Sequence, residues 1–181
     1  RELTTKYILV AAGGHPHRHD TGKYMSKQAM GVIVGSNRRE SINRRLALAL
    51  AALLADRYDM RFIRIDDLPM YNQDLEADRP SEVRRFVAGV ADVAAVLFVT
   101  PEHNRSIPAV LKNAIDWGSK PTDQNVWRGK PAAITGTSMG AIGTAVGQQH
   151  LRQILGILGM MVMGGEAYIT FKPEPVDHDG H

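Results

Sequence analysis

The chain has 181 residues, of which 44% are hydrophobic, and its formal net charge is only +3. This length fits one α/β domain, and no apolar run approaches the roughly 20 residues that a membrane span needs. The sequence contains no cysteine, which excludes disulfides, thiolate catalysis and thiolate metal sites. A nucleic-acid partner would need a clustered basic face. We therefore expect a cytoplasmic protein with neither a nucleic-acid nor a membrane partner.

The first 24 residues differ from the rest of the chain. They hold a short apolar stretch, Tyr7 to Ala12, which could be a strand, and an irregular polar tract, His15 to Asp20. The apolar stretch is too short for a signal peptide, and Met25 looks like a natural start. We interpret residues 1–24 as a leader or non-native segment that is expected to be mobile, and residues 25–181 as a single domain.

A strand, a turn and a helix are predicted at the start of that domain. The strand is Gly31 to Val34, and the turn, Gly35 to Asn43, is rich in hydroxyl and arginine side chains. Apolar residues at helical spacing then predict a helix that begins near Ser41. Main-chain N–H groups at a helix N-terminus lack acceptors, and the helix dipole adds positive charge. The turn therefore predicts a site for a phosphate monoester.

Several side chains of this turn can add to the phosphate site. Ser36, Ser41 and Asn43 can supply neutral donors, and Arg38 can supply a charged fork. The spacing matches neither GxxxxGK[ST] nor GxGxxG, so neither a nucleoside triphosphate nor a dinucleotide pyrophosphate is indicated. The alternative is that Ser36 or Ser41 only caps a helix while Arg38 and Arg39 are solvated.

The remaining chain alternates between strand and helix patterns. Strands are predicted at about 59–65, 94–99, 132–135 and 161–170, the last bent at Gly164-Gly165, and helices after Pro80-Ser81, at 107–117 and at 144–158. The continuously apolar stretch at 94–99 is typical of a parallel strand covered on both faces. The succession predicts a doubly wound parallel sheet.

Ligands bind such sheets beyond the carboxyl ends of the strands. Three loops qualify, namely 35–43, 100–106 and the glycine-rich 136–143. In the second loop, the N–H groups of Glu102, His103 and Asn104 could bond the polar edge of a flat heterocycle.

Pro101 would stiffen this second loop. The alternative is that Asn104 and Ser106 cap the next helix and that Glu102 lies in solvent.

Three motifs occur in order: GSNRRESIN at 35–43, TPEHNRSIPAVLKNAIDW at 100–117 and GTSMGAIGTAVGQQHLRQIL at 136–155. Together they resemble the NAD(P)H-dependent FMN reductases, and more closely the bacterial chromate or quinone reductase branch. The resemblance covers Met30 to Thr170. It implies a flavodoxin-like fold: a five-stranded parallel sheet of order 2-1-3-4-5 with helices on both faces.

The resemblance also implies noncovalent FMN, with NADPH or NADH as cosubstrate. The phosphate would be held by Ser36, Arg38, Ser41, Ile42 and Asn43, and the isoalloxazine ring would be lined by Pro101, Glu102, His103 and Asn104, with Ser106 in the same motif and Ser138 approaching the flavin or its ribityl chain. Many members have tyrosine where this chain has His103. No catalytic side chain is expected, because the flavin N5 carries the hydride.

The implied activity is hydride transfer from a nicotinamide through FMN to quinones, chromate, azo compounds or free flavin. The alternatives are a flavodoxin-like electron carrier, which is usually strongly acidic for docking, or a flavin-sensing protein. Family resemblance implies a homodimer, for which the Trp117 end of the third helix is a candidate contact. A homotetramer is less expected, since Val146 and Gln149 replace an arginine and a tyrosine that help to join subunits in close relatives.

Overall fold

Strands and helices alternate along residues 26–173, the part of the chain that this computed structural model describes. The elements are β1 (Gln28–Val34), α1 (Ile42–Leu54), β2 (Tyr58–Phe62), α2 (Ser81–Ala91), β3 (Ala95–Val99), α3 (Ala109–Ser119), β4 (Pro131–Ser138), α4 (Ala145–Ile157), β5 (Met161–Val162) and β6 (Tyr168–Thr170). The interpretation of residues 1–24 as a leader, including the possible strand at Tyr7 to Ala12, lies outside the described residues. None of the described helices is long and apolar enough to cross a membrane.

The strands form one parallel sheet of order β2-β1-β3-β4-β5, with β6 also paired to β4. The predicted order 2-1-3-4-5 is therefore confirmed. The register places Val34 beside Val99 at the carboxyl ends of β1 and β3. Because all these strands run in one direction, the loops that follow β1, β3 and β4 start from the same edge of the sheet.

Helices cover both faces of the sheet, as expected. The larger core packs α2, α3 and α4 against one face, around residues such as Phe86, Phe98 and Leu111. The smaller core packs α1 against the other face, around residues such as Val32 and Leu50. This division follows from right-handed crossovers: the chain moves one way from β1 to β2 and the opposite way through β3, β4 and β5.

The last predicted strand is interrupted. Residues 161–170 form two short strands, β5 and β6, which pair with successive parts of the same edge of β4. Between them, the Arg152 guanidinium donates to the carbonyl oxygens of Met163 at 2.7 Å and Gly165 at 2.6 Å. Gly165 has a φ of 84°, which favours glycine. The chain therefore leaves the sheet here instead of bending within one strand.

Both tryptophans are fully buried and are packing residues of the core. The indole N–H of Trp117 donates to the carbonyl oxygen of Pro69 at 2.8 Å, and that of Trp127 donates to the carbonyl oxygen of Ile115 at 3.0 Å. The Trp117 ring therefore packs inside its own chain, and the expected subunit contact at this end of α3 stays a prediction.

Candidate functional site

The floor of the site is formed by Gly35, Thr100 and Gly136, which pack closely together. Gly35 donates its N–H to the carbonyl oxygen of Val99 at 2.9 Å, where β1 and β3 end. A Cβ on Gly35 would lie 2.4 Å from Thr100 Oγ1, and one on Gly136 would lie 1.9 Å from the Thr100 carbonyl oxygen. Only glycine fits at these two positions, so the three loops begin close together.

Strand β4 continues through Gly136 to Ser138 instead of ending at Thr135. The glycine-rich stretch was expected to be a loop from residue 136 onward, yet Gly136 to Ser138 pair with β6. The loop proper is therefore 139–144. A glycine in a strand can mark a close backbone approach, and here Thr100 occupies the space of the missing side chain.

The first loop presents the N-terminus of α1. Ser41 is the N-cap residue, and its Oγ accepts from the N–H of Arg44 at 3.2 Å. Ser36 Oγ accepts from the N–H of Arg38 at 3.4 Å. Each hydroxyl keeps its own proton for donation, so capping and ligand binding are compatible. Ile42 and Asn43 lie in the first turn, where main-chain N–H groups have no helical acceptor.

The Asn43 side chain does not serve the expected role of a phosphate donor. It is only 1% exposed. Its Nδ2 donates to the carbonyl oxygen of Thr137 at 2.9 Å, and its Oδ1 accepts from the Thr137 N–H at 2.9 Å. This amide therefore connects α1 to the end of β4. Only the main-chain N–H of Asn43 stays in the first turn of the helix.

Positive charge surrounds this loop. Arg38, Arg39 and Arg44 are exposed, and none of them forms an ion pair with an acidic residue within 26–173. Arg45 lies over the ring of Phe171, 5.4 Å from its centroid, in a cation–π contact. The unpaired guanidinium groups and the helix dipole attract anions to the same place.

The second loop contains a tight turn between His103 and Ser106. The His103 N–H donates to the Ser106 carbonyl oxygen at 2.9 Å, and the Ser106 N–H donates back at 2.8 Å. Asn104 and Arg105 have φ values of 50° and 63°. Positive φ at both central residues is typical of a type I′ turn. The His103 N–H is therefore used within the turn, contrary to its expected bond with a heterocycle.

Glu102 is not in solvent, so that alternative is wrong. Its side chain is 10% exposed, and Oε2 accepts from the N–H of Gly147, in the first turn of α4, at 3.0 Å. A Cβ on Gly147 would lie 3.1 Å from the carbonyl oxygen of Ser106. Arg105 places a guanidinium nitrogen 3.6 Å from Glu102 Oε1. The second loop is thus fixed to α4.

The other alternative for this loop was helix capping by Asn104 and Ser106, and it is also wrong. The N-cap residue of α3 is Pro108, without a side-chain cap. The hydroxyl of Ser106 instead lies 3.1 Å from Nδ1 of His150.

The third loop closes on itself. Ser138 Oγ donates to the carbonyl oxygen of Gly143 and accepts from the N–H of Gly140 at 3.2 Å. A slot of about 390 Å³ separates this loop from the second one; it is lined by Glu102, Arg105, Ser138 and residues 140–143. The hydroxyl of Ser138 thus shapes one wall of the slot.

The edge of the sheet therefore carries an anion site beside a slot between two loops. The arrangement suits an elongated ligand with a phosphate at one end and a flat, polar-edged ring at the other. Residues 26–173 contain no cluster of three or more histidine or acidic side chains that could hold a metal ion. The fold and the site together define a flavodoxin-like protein for a phosphorylated planar cofactor.

Comparisons with known proteins agree with this class. The model of the NADPH-dependent FMN reductase family matches residues 29–174, and the chain belongs to that family. It is 48% identical over 151 residues to a 2-hydroxy-1,4-benzoquinone reductase of Burkholderia sp, covering 83% of this chain and 82% of the relative. It is also 48% identical over 154 residues to a quinone reductase of Pseudomonas putida, covering 84% and 83%.

A solved structure leads to the same assignment. FerB, a flavoenzyme NAD(P)H:(acceptor) oxidoreductase from Paracoccus denitrificans, has 44% sequence identity and a TM-score of 0.79 over 84% of this chain and 85% of FerB. The protein is therefore an NAD(P)H-dependent enzyme with FMN as its cofactor. This confirms the family and the cofactor that the three sequence motifs implied.

Proposed function

We propose that this protein is an NAD(P)H:quinone reductase whose FMN lies along the carboxyl edge of the sheet. The observation that carries the proposal is the basic N-terminal turn of α1 beside the slot between the second and third loops. The relatives that are 48% identical are named as reductases of quinones. When bound, FMN accepts a hydride from the nicotinamide and passes electrons to the acceptor.

The phosphate of FMN is held at the start of α1. The main-chain N–H groups of Ile42 and Asn43 donate to it, as do the hydroxyls of Ser36 and Ser41. Arg38 adds a charged fork that matches phosphate oxygens. These donors suit one phosphate group, which favours FMN over a dinucleotide flavin. The Asn43 amide contributes indirectly, since it fixes the start of α1 against β4.

The isoalloxazine ring occupies the slot. We place Pro101 and residues 102–104 beside the ring, with the N–H groups of Glu102 and Asn104 donating to its edge. Donors at that edge stabilise negative charge on the ring in the way that an oxyanion hole does. Glu102 and Arg105 line the slot on the side of the second loop, and Ser138 shapes the opposite wall. We expect His103 and Ser106, which belong to the second loop, to lie near the ring.

Chromate, azo compounds and free flavin are further acceptors that such a site can reduce, because the chemistry belongs to the cofactor. We place the protein in the cytoplasm, where NAD(P)H is available, and expect it to work as a homodimer. An electron carrier would dock a redox protein through an acidic surface, whereas this chain has a net charge of +3. The charge therefore favours the reductase.

Two measurements on the purified protein test the proposal. The cofactor is released by heat and identified by chromatography, and NADPH and NADH oxidation is followed with 1,4-benzoquinone, chromate and an azo dye. We expect FMN, and steady-state turnover that is fastest with the quinone. Recovery of FAD alone would contradict the phosphate assignment. Bound FMN without sustained turnover would favour the carrier.

A further inference from the structure

A second and larger cleft lies at the other side of the phosphate turn, between β1 and β2. Its volume is about 600 Å³. Arg38, Arg39 and Arg44 line it from the first loop and α1, and Phe62, Arg64 and Asp66 line it from the end of β2 and the loop that follows. None of the residues from β2 lines the flavin slot. The cleft is thus a separate cavity that shares only the phosphate turn with the FMN site.

The charge of this cleft is positive. Four guanidinium groups face one carboxylate, that of Asp66. Arg64 Nε donates to Asp66 Oδ1 at 2.6 Å, and this hydrogen bond lowers the pKa of the Asp66 carboxyl. The single negative charge is therefore already neutralised by one arginine. Three arginines remain without an acidic partner in the described chain. Since Arg38 is assigned to the FMN phosphate, Arg39 and Arg44 are left for the negative charge of a second ligand.

The cleft also offers an apolar surface. Phe62 is 42% exposed, and Val32, Val34 and Ile63 lie along the same cavity. An aromatic ring beside guanidinium groups is suited to a flat base that carries a phosphate, since the ring stacks on the base while the arginines bind the phosphate. The volume lies within the roughly 300–1,000 Å³ of small-molecule sites.

The opposite end of the sheet edge lacks these unpaired positive charges. There the exposed carboxylate of Glu166 accepts from Gln149 and from Tyr168. The nearby Arg152 guanidinium is engaged by two carbonyl oxygens, those of Met163 and Gly165. A phosphorylated ligand that extends from the flavin slot is therefore attracted toward β1 and β2.

We propose that this cleft binds the adenosine end of NADPH, with the 2′-phosphate on Arg39 and Arg44, and that the enzyme therefore prefers NADPH to NADH. The inference rests on the proposed function, in which the nicotinamide meets the flavin in the slot. The cleft lies at β2 and β1, and the slot lies at the ends of β3 and β4, so two to three strand spacings separate them. Each spacing is about 4.8 Å. An extended dinucleotide can reach both.

Binding to the FMN-loaded protein is the first test. Calorimetry compares adenosine 2′,5′-bisphosphate with adenosine 5′-monophosphate. We expect the bisphosphate to bind more tightly, and Arg44→Ala or Arg39→Ala to weaken its binding about tenfold, at the low end for a hydrogen bond to a charged group. The control is Arg61→Ala, because Arg61 is an exposed arginine of β2 that pairs with Asp59 and Asp92 and does not line the cleft.

Turnover is the second test. In the same two variants we expect the KM for NADPH to rise about tenfold while the KM for NADH and the FMN content stay unchanged. Equal affinity of the unmodified protein for the two adenosine nucleotides would overturn the inference, as would displacement of the bisphosphate by an equal concentration of inorganic phosphate. Failure of the proposed function would differ, since the unmodified protein would then show no quinone turnover with either nucleotide.

Discussion

Ser41 and Asn43 lie two positions apart but perform different tasks. Ser41 caps α1 through its Oγ and keeps a hydroxyl proton for a ligand. Both polar atoms of the Asn43 amide are hydrogen-bonded to the main chain of Thr137, which is 94 residues away in the sequence. Both residues belong to one motif, so membership of a motif alone does not separate a ligand contact from a positioning residue.

Arg38 is the side chain whose removal most directly tests the phosphate site. We expect Arg38→Ala to weaken FMN binding by about 1.5–3 kcal/mol, the range for hydrogen bonds to charged groups. The dissociation constant is measured by titrating FMN into cofactor-free protein and following the quenching of flavin fluorescence. Arg57→Ala, at an exposed arginine beyond the end of α1, is the control. An unchanged constant for Arg38→Ala would show that Arg38 is only a surface charge.

Arg105 tests the strain in the second loop. Its φ of 63° lies in the left-handed region, which costs a residue other than glycine about 1–2 kcal/mol. Arg105→Gly removes that cost and should raise the free energy of unfolding by up to about 1 kcal/mol, because glycine also gains freedom in the unfolded chain.

Arg105→Val serves as the comparison for this prediction, since a β-branched residue is the least tolerant of positive φ. It should lower the free energy of unfolding. Urea denaturation of the cofactor-free variants measures both changes, and equal stability of the glycine and valine variants would show that the turn is not strained.

At the scale of elements, the sequence patterns predicted the strands and helices better than their ends. The start of α1 near Ser41 and the central position of β3 follow from local signals, a capping residue and a continuous apolar run. Gly136 misled the prediction, because glycine marks loops and close backbone contacts alike. Only the position of Thr100, 36 residues earlier in the chain, shows which of the two applies.

The internal contacts of the loops were less accessible to sequence analysis. The turn at Asn104 and Arg105 contains no glycine, so nothing in its composition signals two positive φ values. Glu102 binds the N–H of Gly147, which lies 45 residues further along the chain. Such contacts depend on how α4 packs against the second loop. They could not be predicted from local patterns.

The link between α1 and β4 is testable through Asn43. Asn43→Ala leaves the buried N–H and carbonyl groups of Thr137 without partners, at about 1–3 kcal/mol for each unsatisfied group. We expect a corresponding loss in the free energy of unfolding by urea, together with weaker FMN binding as the helix start moves. Asn37→Ala, at an exposed position of the same loop, is the control. Unaltered stability of Asn43→Ala would show that α1 is held by its apolar face alone.

For the whole molecule, the first 24 residues are expected to be dispensable. Within residues 26–173 the first strand begins at Gln28, and the family match begins at residue 29. We expect a chain that starts at Met25 to keep its melting temperature, FMN content and quinone turnover. Differential scanning calorimetry and absorbance at the flavin bands measure the first two. A large fall in either would indicate that Tyr7 to Ala12 forms a strand on which the domain depends.

The prediction of a homodimer depends on which surface covers the flavin slot. Met139 and Ile142 are 63% and 46% exposed, and both lie on the third loop, which forms one wall of the slot. Exposed apolar groups beside a ligand site indicate a surface that contacts another protein subunit. Since Trp117 is buried, this rim is a better candidate for the subunit contact than the end of α3.

We therefore expect a homodimer, and light scattering at micromolar concentration should give twice the 19.9 kDa mass of the chain. An obligate interface should bury about 2,000 Å² or more and be apolar at its centre. Replacing Met139 and Ile142 together by lysine should yield monomers with reduced quinone turnover, because charge at an apolar contact is not compensated. Leu53→Lys, at an exposed leucine of α1, should leave the dimer intact. A monomer with full turnover would contradict this prediction, and residues 66–79 would then be the candidate cover from the same chain.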